Sequence, residues 1–189
     1  MKNIAIPLLS PGDEPILAGR LSGKRAFLKA LEAIPPLTEP TLVILDFAGV
    51  ELATSSYLSE AVVPLRDHLR LRRPPAYVVL ANLSDKVTEE LDELVNRSGD
   101  AFLACKTSPS GTISDAHLVG KLEPKLRETF DLIRKKRETT AVELHAESSD
   151  SDVGATAWNN RLNALTNKSL VMEIPQGRTK KYRTVLEIA

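Results

Sequence analysis

Several things are scarce in this chain, and each scarcity closes off a class of function. One cysteine, Cys105, occurs in 189 residues, so no disulfide can form within the chain, and the usage fits a reducing cytoplasm. No apolar run approaches the roughly 20 residues that a bilayer-spanning helix needs. The first apolar stretch, MKNIAIPLL, is interrupted by Pro7 with no small-residue cleavage site after it, so neither a membrane span nor a signal peptide is predicted. Net charge is also lacking: 25 Lys and Arg balance 25 Asp and Glu, which at first argues against a nucleic-acid partner.

Catalytic and metal-binding signatures are equally sparse. Gly19-Arg-Leu-Ser-Gly23-Lys24-Arg25 falls short of a P-loop, with three residues between the glycines instead of four and Arg25 where a magnesium-binding hydroxyl is required. His68, His117 and His145 are far apart and have no ligand spacing to each other or to Cys105, so no metal site is predicted. Glu89, Glu90, Asp92 and Glu93 read as a solvated helix face. No nucleophile-plus-base pair stands out. The expectation is therefore a protein that is not an enzyme and uses no cofactor.

What is present is strongly patterned. KNIAIPLL reads as a strand, and Pro11-Gly12-Asp13 as a turn. LAGRLSGKRAFLKALEAI, with Leu17, Leu21, Phe27, Leu28 and Leu31, has helical spacing and is stopped by Pro35-Pro36. TLVILDF and AYVVLAN are continuous apolar runs of strand length, the pattern of strands covered on both faces. Between them TSSYLSEAVVPLRDHLRLR reads as a helix kinked or started late at Pro64. After them Ser84 caps a helix over SDKVTEELDELVNRS, and AFLAC is a further strand. Strands alternating with helices predict an α/β domain over residues 1–105. Residues 106–120 are polar and low in periodicity and read as a linker or hairpin.

From 121 to 189 the character changes. PKLRETFDLIRKKRE is a helix with Leu126, Phe130 and Ile133 on one face. TAVELHAES is a second, opened by the capping box of Thr140 and Glu143, with Val142 and Leu144 able to reach a core. SSDSDVG is a turn, and ATAWNNRLNALTNKSL is a third helix. At about 100° per residue, Trp158, Leu162 and Leu165 of that helix form one narrow stripe. Opposite lie Thr156, Asn160, Asn163 and Asn167, with Asn159 on the flank. Such residues lower helix propensity, but Asn pairs bidentately with adenine and Thr contacts thymine methyls or phosphates. Arg161, at the edge of the core stripe, is expected to make a salt bridge or a phosphate contact.

Two strand-like runs follow, joined by Pro175-Gln176-Gly177-Arg178. Arg178, Lys180 and Lys181 at the turn are placed to meet a phosphate backbone. From Gly154 onward six cations face only two carboxylates, Glu173 and Glu187, a net charge of +4 hidden by the neutral total.

The segment TAWNNRLNALTNKSLVMEIPQGRTKKYRTVL resembles winged-helix bacterial regulators. Their recognition helix ends in R-L-x-x-L and exits through a Gly-Leu-Val-like step; here Ser169 stands where Gly is usual. The N-terminal part, over roughly residues 15–105, resembles STAS domains, the anti-sigma-factor-antagonist fold. Asp46, Gly49 and Val50 match its D-L-S-G-V stretch, and Ser55 and Ser56 match the serines of its phosphorylation loop. Thr54 replaces the aspartate of that loop and Tyr57 its glycine. The longer pattern is closer to a STAS-like bacterial family of unknown function, whose genes often lie near ATPases of the histidine-kinase type. The resemblance implies a sensing or interaction module with Ser55 or Ser56 as a phosphoswitch. Helix capping by the same hydroxyls is the other account of them.

Together these readings predict an α/β STAS-like domain (1–105), a linker (106–120) and an α+β winged helix-turn-helix (121–189). The expected activity is double-stranded DNA binding by a cytoplasmic transcription regulator that makes no membrane contact and forms a homodimer on paired half-sites. A different class is also open: a protein-interaction adaptor partnering a kinase-like ATPase. An enzyme site at the Asp46–Ser56 strand end is a third.

Overall fold

The computed structural model describes residues 1–147, 154–177 and 179–188. The expected SSDSDVG turn, up to Gly154, and Arg178 lie outside the described residues. In chain order the elements are β1 (Lys2–Pro7), β2 (Ile16–Leu17), α1 (Arg20–Ala33), β3 (Thr41–Asp46), β4 (Leu52–Ala53), α2 (Ser55–Arg70), β5 (Ala76–Ala81) and α3 (Asp85–Asn96). They continue with β6 (Ala101–Thr107), β7 (Ile113–Gly120), α4 (Pro124–Lys136), β8 (Thr139–Thr140), α5 (Ala141–Glu147), α6 (Ala155–Asn167), β9 (Val171–Gln176) and β10 (Thr179–Thr184).

This is a mixed α/β fold with a mainly parallel central sheet. The sheet runs β1-β3-β5-β6-β7, the first four strands parallel and β7 antiparallel to β6. Of the two readings of residues 106–120, linker or hairpin, the hairpin is the one seen: β7 is its return arm, with Phe102 opposite Val119 and Ala101 opposite Gly120. Its polarity, which suggested a linker, is that of an edge strand with one side in water.

Strand order follows chain order, so every crossover advances the same way. Right-handed crossovers then place α1, α2 and α3 on one face. That face is closed by Val43, Leu45, Val78, Leu80 and Phe102 from the strands, against Leu58, Val62 and Leu65 of α2 and Val87, Leu91 and Val95 of α3. Alternate strand residues, among them Leu42, Ile44, Tyr77, Val79, Ala101 and Leu103, point the other way and would be bare if the chain stopped at Gly120. They belong instead to a second apolar cluster with Phe130, Ile133, Leu144, Trp158, Leu162 and Leu165. Parallel strands need cover on both faces, and the continuous apolar runs of β3 and β5 are buried as that rule requires.

α1 forms where helical spacing places it, with Leu21 and Leu28 exposed, because α1 lies against α2 through its smallest residue: a Cβ on Gly23 would come within 2.6 Å of the Tyr57 carbonyl. Two local expectations are corrected. Val142 is also exposed, and of the pair in α5 only Leu144 reaches the core. Pro64 neither starts nor ends a helix; α2 runs through it from Ser55 to Arg70. Ser84 does cap α3, accepting the Val87 amide. Among the described residues no helix is long and apolar enough to cross a membrane.

A polar clamp ties the C-terminal layer to the sheet. Arg66 of α2, only 5 % exposed, lies over the Phe102 ring at 4.5 Å and pairs with Asp100 at 2.8 Å. The other oxygen of Asp100 accepts from Lys168, just beyond α6, at 2.9 Å. Burial pushes the Asp100 carboxyl up, but the hydrogen bonds and charges of Arg66 and Lys168 outweigh it and hold it below the usual range. Nearby the Glu173 amide of β9 donates to the Tyr77 hydroxyl of β5.

Candidate nucleic-acid interface

The last three helices and the hairpin are organised around α6. Before it, α5 is opened by a reciprocal capping box: Glu143 donates its amide to the Thr140 hydroxyl at 3.2 Å, and Thr140 donates its amide to the Glu143 carboxylate at 2.7 Å. Those bonds hold the Glu143 carboxyl below its ordinary value.

Trp158, Leu162, Leu165 and Thr166 of α6 are buried. Thr156, Asn159, Asn160, Asn163 and Asn167 are all exposed, on the side away from both sheet and core. Asn159 donates its amide to the Ala155 carbonyl at 3.1 Å, so part of its hydrogen-bonding capacity is spent on its own helix. The Arg161 guanidinium stacks over Trp158 at 4.8 Å and covers the indole; among the described residues it has no carboxylate partner, so of the salt bridge or phosphate contact expected for it no salt bridge is seen there.

The exit from α6 explains the departure noted at Ser169. Its φ is 57°, the left-handed conformation that closes many helices and that glycine adopts most cheaply. The Leu170 amide donates to Leu165 O at 3.1 Å and the Ser169 amide to Thr166 O at 3.0 Å, the two bonds of a Schellman motif. Ser169 is buried and its hydroxyl finds no partner among the described residues.

The chain then turns back as β9 and β10, paired from Val171 with Thr184 to Gln176 with Thr179, with β8 on the far side of β10. Gly177 takes the turn at φ 59°. The two described lysines near the turn are not free: Lys180 pairs with Glu173 at 3.1 Å and Lys181 with Glu138 at 2.6 Å, and the Glu138 carboxylate raises the Lys181 pKa. Exposed pairs of this kind are weak, so a stronger anion can displace the carboxylates.

Ser55 and Ser56 lie at the other end of the molecule, at the start of α2. Thr54 is the cap, accepting the Tyr57 amide, and its hydroxyl lies 3.0 Å from that of Ser56. Ser55 donates both its amide and its hydroxyl to the Glu90 carboxylate, at 2.7 and 2.8 Å. Glu90 is therefore not part of a solvated face; it is the anion at this helix N-terminus, and a phosphate on Ser55 would be repelled by it. Asp92 likewise accepts the Gly120 amide. Asp46 is separate from Ser55: it accepts from Asn82 at 2.8 Å and from the Ala48 amide, and Asn82 in turn bonds Thr107.

The fold so defined is of the α/β class, with α6 and the β9–β10 hairpin in the layer that covers the second face of the sheet. No family model, curated protein or solved structure matches the chain.

Proposed function

We propose that this chain binds double-stranded DNA through α6 and the β9–β10 hairpin, as a cytoplasmic transcription regulator whose residues 121–189 form a winged helix-turn-helix. Support for that architecture comes from the succession α4, β8, α5, α6, β9, β10 with the small sheet ordered β8-β10-β9. The remaining layer acts as a STAS-like sensing or interaction module.

The observation that carries the reading is the polar face of α6. A helix whose opposite stripe is buried presents Thr156, Asn160, Asn163 and Asn167 outward, residues that contribute nothing to packing and little to helix propensity. Asn160 and Asn163 read base edges, and Thr156, near the helix start, contacts a thymine methyl or a phosphate. Lys180 and Lys181 exchange Glu173 and Glu138 for phosphates, and Arg178, next to Gly177 in sequence, is proposed to join them. Two copies on paired half-sites are expected.

Selection from random duplex DNA with the purified protein tests this. Enriched sequences are expected, with affinity falling linearly in log salt. Asn160→Ala should relax preference at one position by about 1–3 kcal/mol, whereas Lys181→Ala should weaken all sequences alike and reduce the salt slope by about one. Absence of both enrichment and salt dependence would end the proposal.

A further inference from the structure

A cleft of about 550 Å³ opens beside the hairpin, at the opposite end of β10 from its turn, lined by Arg134, Arg137, Arg183, Val185, Glu187 and Ile188 among others. We infer that it is a binding site for a small phosphate ester carrying an apolar or ring portion, of nucleotide type. The fold assembles it by register: β10 pairs with β8 through Tyr182 opposite Thr139, which brings Arg183 and the tail after it alongside the end of α4.

Several cations of this region are neutralised within the fold. Arg127 pairs with Asp131, Lys136 with Glu147, Lys180 with Glu173 and Lys181 with Glu138. Among the described residues no carboxylate pairs with Arg134, Arg137 or Arg183; Arg183 donates to the Met172 sulfur. In a chain whose charges balance overall, three unpaired guanidinium groups around one concavity are a place for an external anion. Cations at the end of α4 also suit its helix dipole, but that does not account for Arg183, which comes from a strand. Arg137 has φ 65° and ψ −42°, a backbone region that non-glycine residues avoid and that recurs at ligand sites.

The chemistry of the lining selects the ligand. Guanidinium groups grip phosphate oxygens through paired N–H donors. Val185 and Ile188 offer an apolar wall to which a duplex backbone has nothing to present. Glu187 supplies an acceptor for a hydroxyl or exocyclic amine. The volume is that of small-ligand sites.

Calorimetric titration of the full chain without DNA, using adenosine triphosphate, guanosine triphosphate and inorganic triphosphate, tests the inference separately from duplex binding. Saturable binding of one nucleotide per chain is expected, about tenfold or more tighter than inorganic triphosphate because of the apolar wall. Arg183→Ala and Arg134→Ala should each weaken it about tenfold, with Arg183→Lys retaining part of the affinity, and all variants keeping wild-type circular dichroism. Lys180→Ala, outside the cleft, should leave the affinity unchanged. The inference is overturned if none of the three ligands saturates at about 1 mM, or if Lys180→Ala and Arg183→Ala weaken binding equally, which marks diffuse charge attraction.

Discussion

On one face of the central sheet the cover consists of α1, α2 and α3, the connections between consecutive strands; on the other it is a separate stretch of chain that begins after the last strand is complete. The first cover follows from topology, since right-handed crossovers in a sheet that advances one way have only one side to occupy. The second has no such obligation, and the chain secures it with a continuous apolar cluster from Leu42 to Leu186 and with the Arg66–Asp100–Lys168 clamp. The comparison teaches that the C-terminal layer closes the fold with one side of a helix only. The stripe of Trp158, Leu162 and Leu165 seals the sheet, and the Thr and Asn residues behind it stay exposed.

The strongest way to break this comparison is to remove the second cover. A fragment of residues 1–120 leaves Leu42, Ile44, Tyr77, Val79 and Leu103 facing water, and we expect it to aggregate or to lose cooperative urea unfolding; a soluble monomer with a sharp transition would show the layers to be independent. Next in size are paired truncations of the two clusters. Leu65→Ala and Leu162→Ala, both at fully buried sites, should each cost about 2–5 kcal/mol and lower the midpoint of one shared transition. An early, separate transition in Leu162→Ala alone would contradict that.

The clamp comes third. Asp100→Ala leaves Arg66 with only the exposed Asp67 as partner, and a loss of about 3 kcal/mol is expected, at the low end for a broken buried pair because that partner remains. Its pH dependence has a definite direction. The folded carboxyl titrates below its ordinary value, so its stabilisation is complete above the unfolded pKa near ~4 and disappears as pH falls through the lower folded value. Urea midpoints measured down through the acid range should therefore decline less in Asp100→Ala than in the wild-type chain.

The smallest effect has the opposite sign. Ser169 adopts a left-handed φ of 57° with a buried, unpartnered hydroxyl. Ser169→Gly relieves both penalties and should stabilise by about 1 kcal/mol, raising Tm by roughly 2–4 °C. A lower Tm would mean that the hydroxyl has a role the geometry does not reveal.

Elements carried by local signals were legible beforehand. The buried runs of β3 and β5, the Ser84 cap, the Thr140–Glu143 box and the amphipathic stripe of α6 are each written within a few consecutive residues, where helix and strand periods and cap geometry act. The polarity of β7 left linker and hairpin both open, because an edge strand and a linker share a composition. Val142 misled because helical spacing marks an apolar face without saying whether a neighbour covers it. Glu90 was unreadable for a related reason: its partner Ser55 is 35 positions earlier.

From the sequence alone came the alternation of strands and helices, the caps of α3 and α5, and the side of α6 that is polar, all set by interactions within one or two turns of chain. Tertiary structure decided which apolar faces meet, that the C-terminal layer seals the second face of the sheet, and which cations are neutralised and which are left around the cleft. The physical reason is that burial and ion pairing depend on distances between residues tens of positions apart, and only a packed fold fixes those distances.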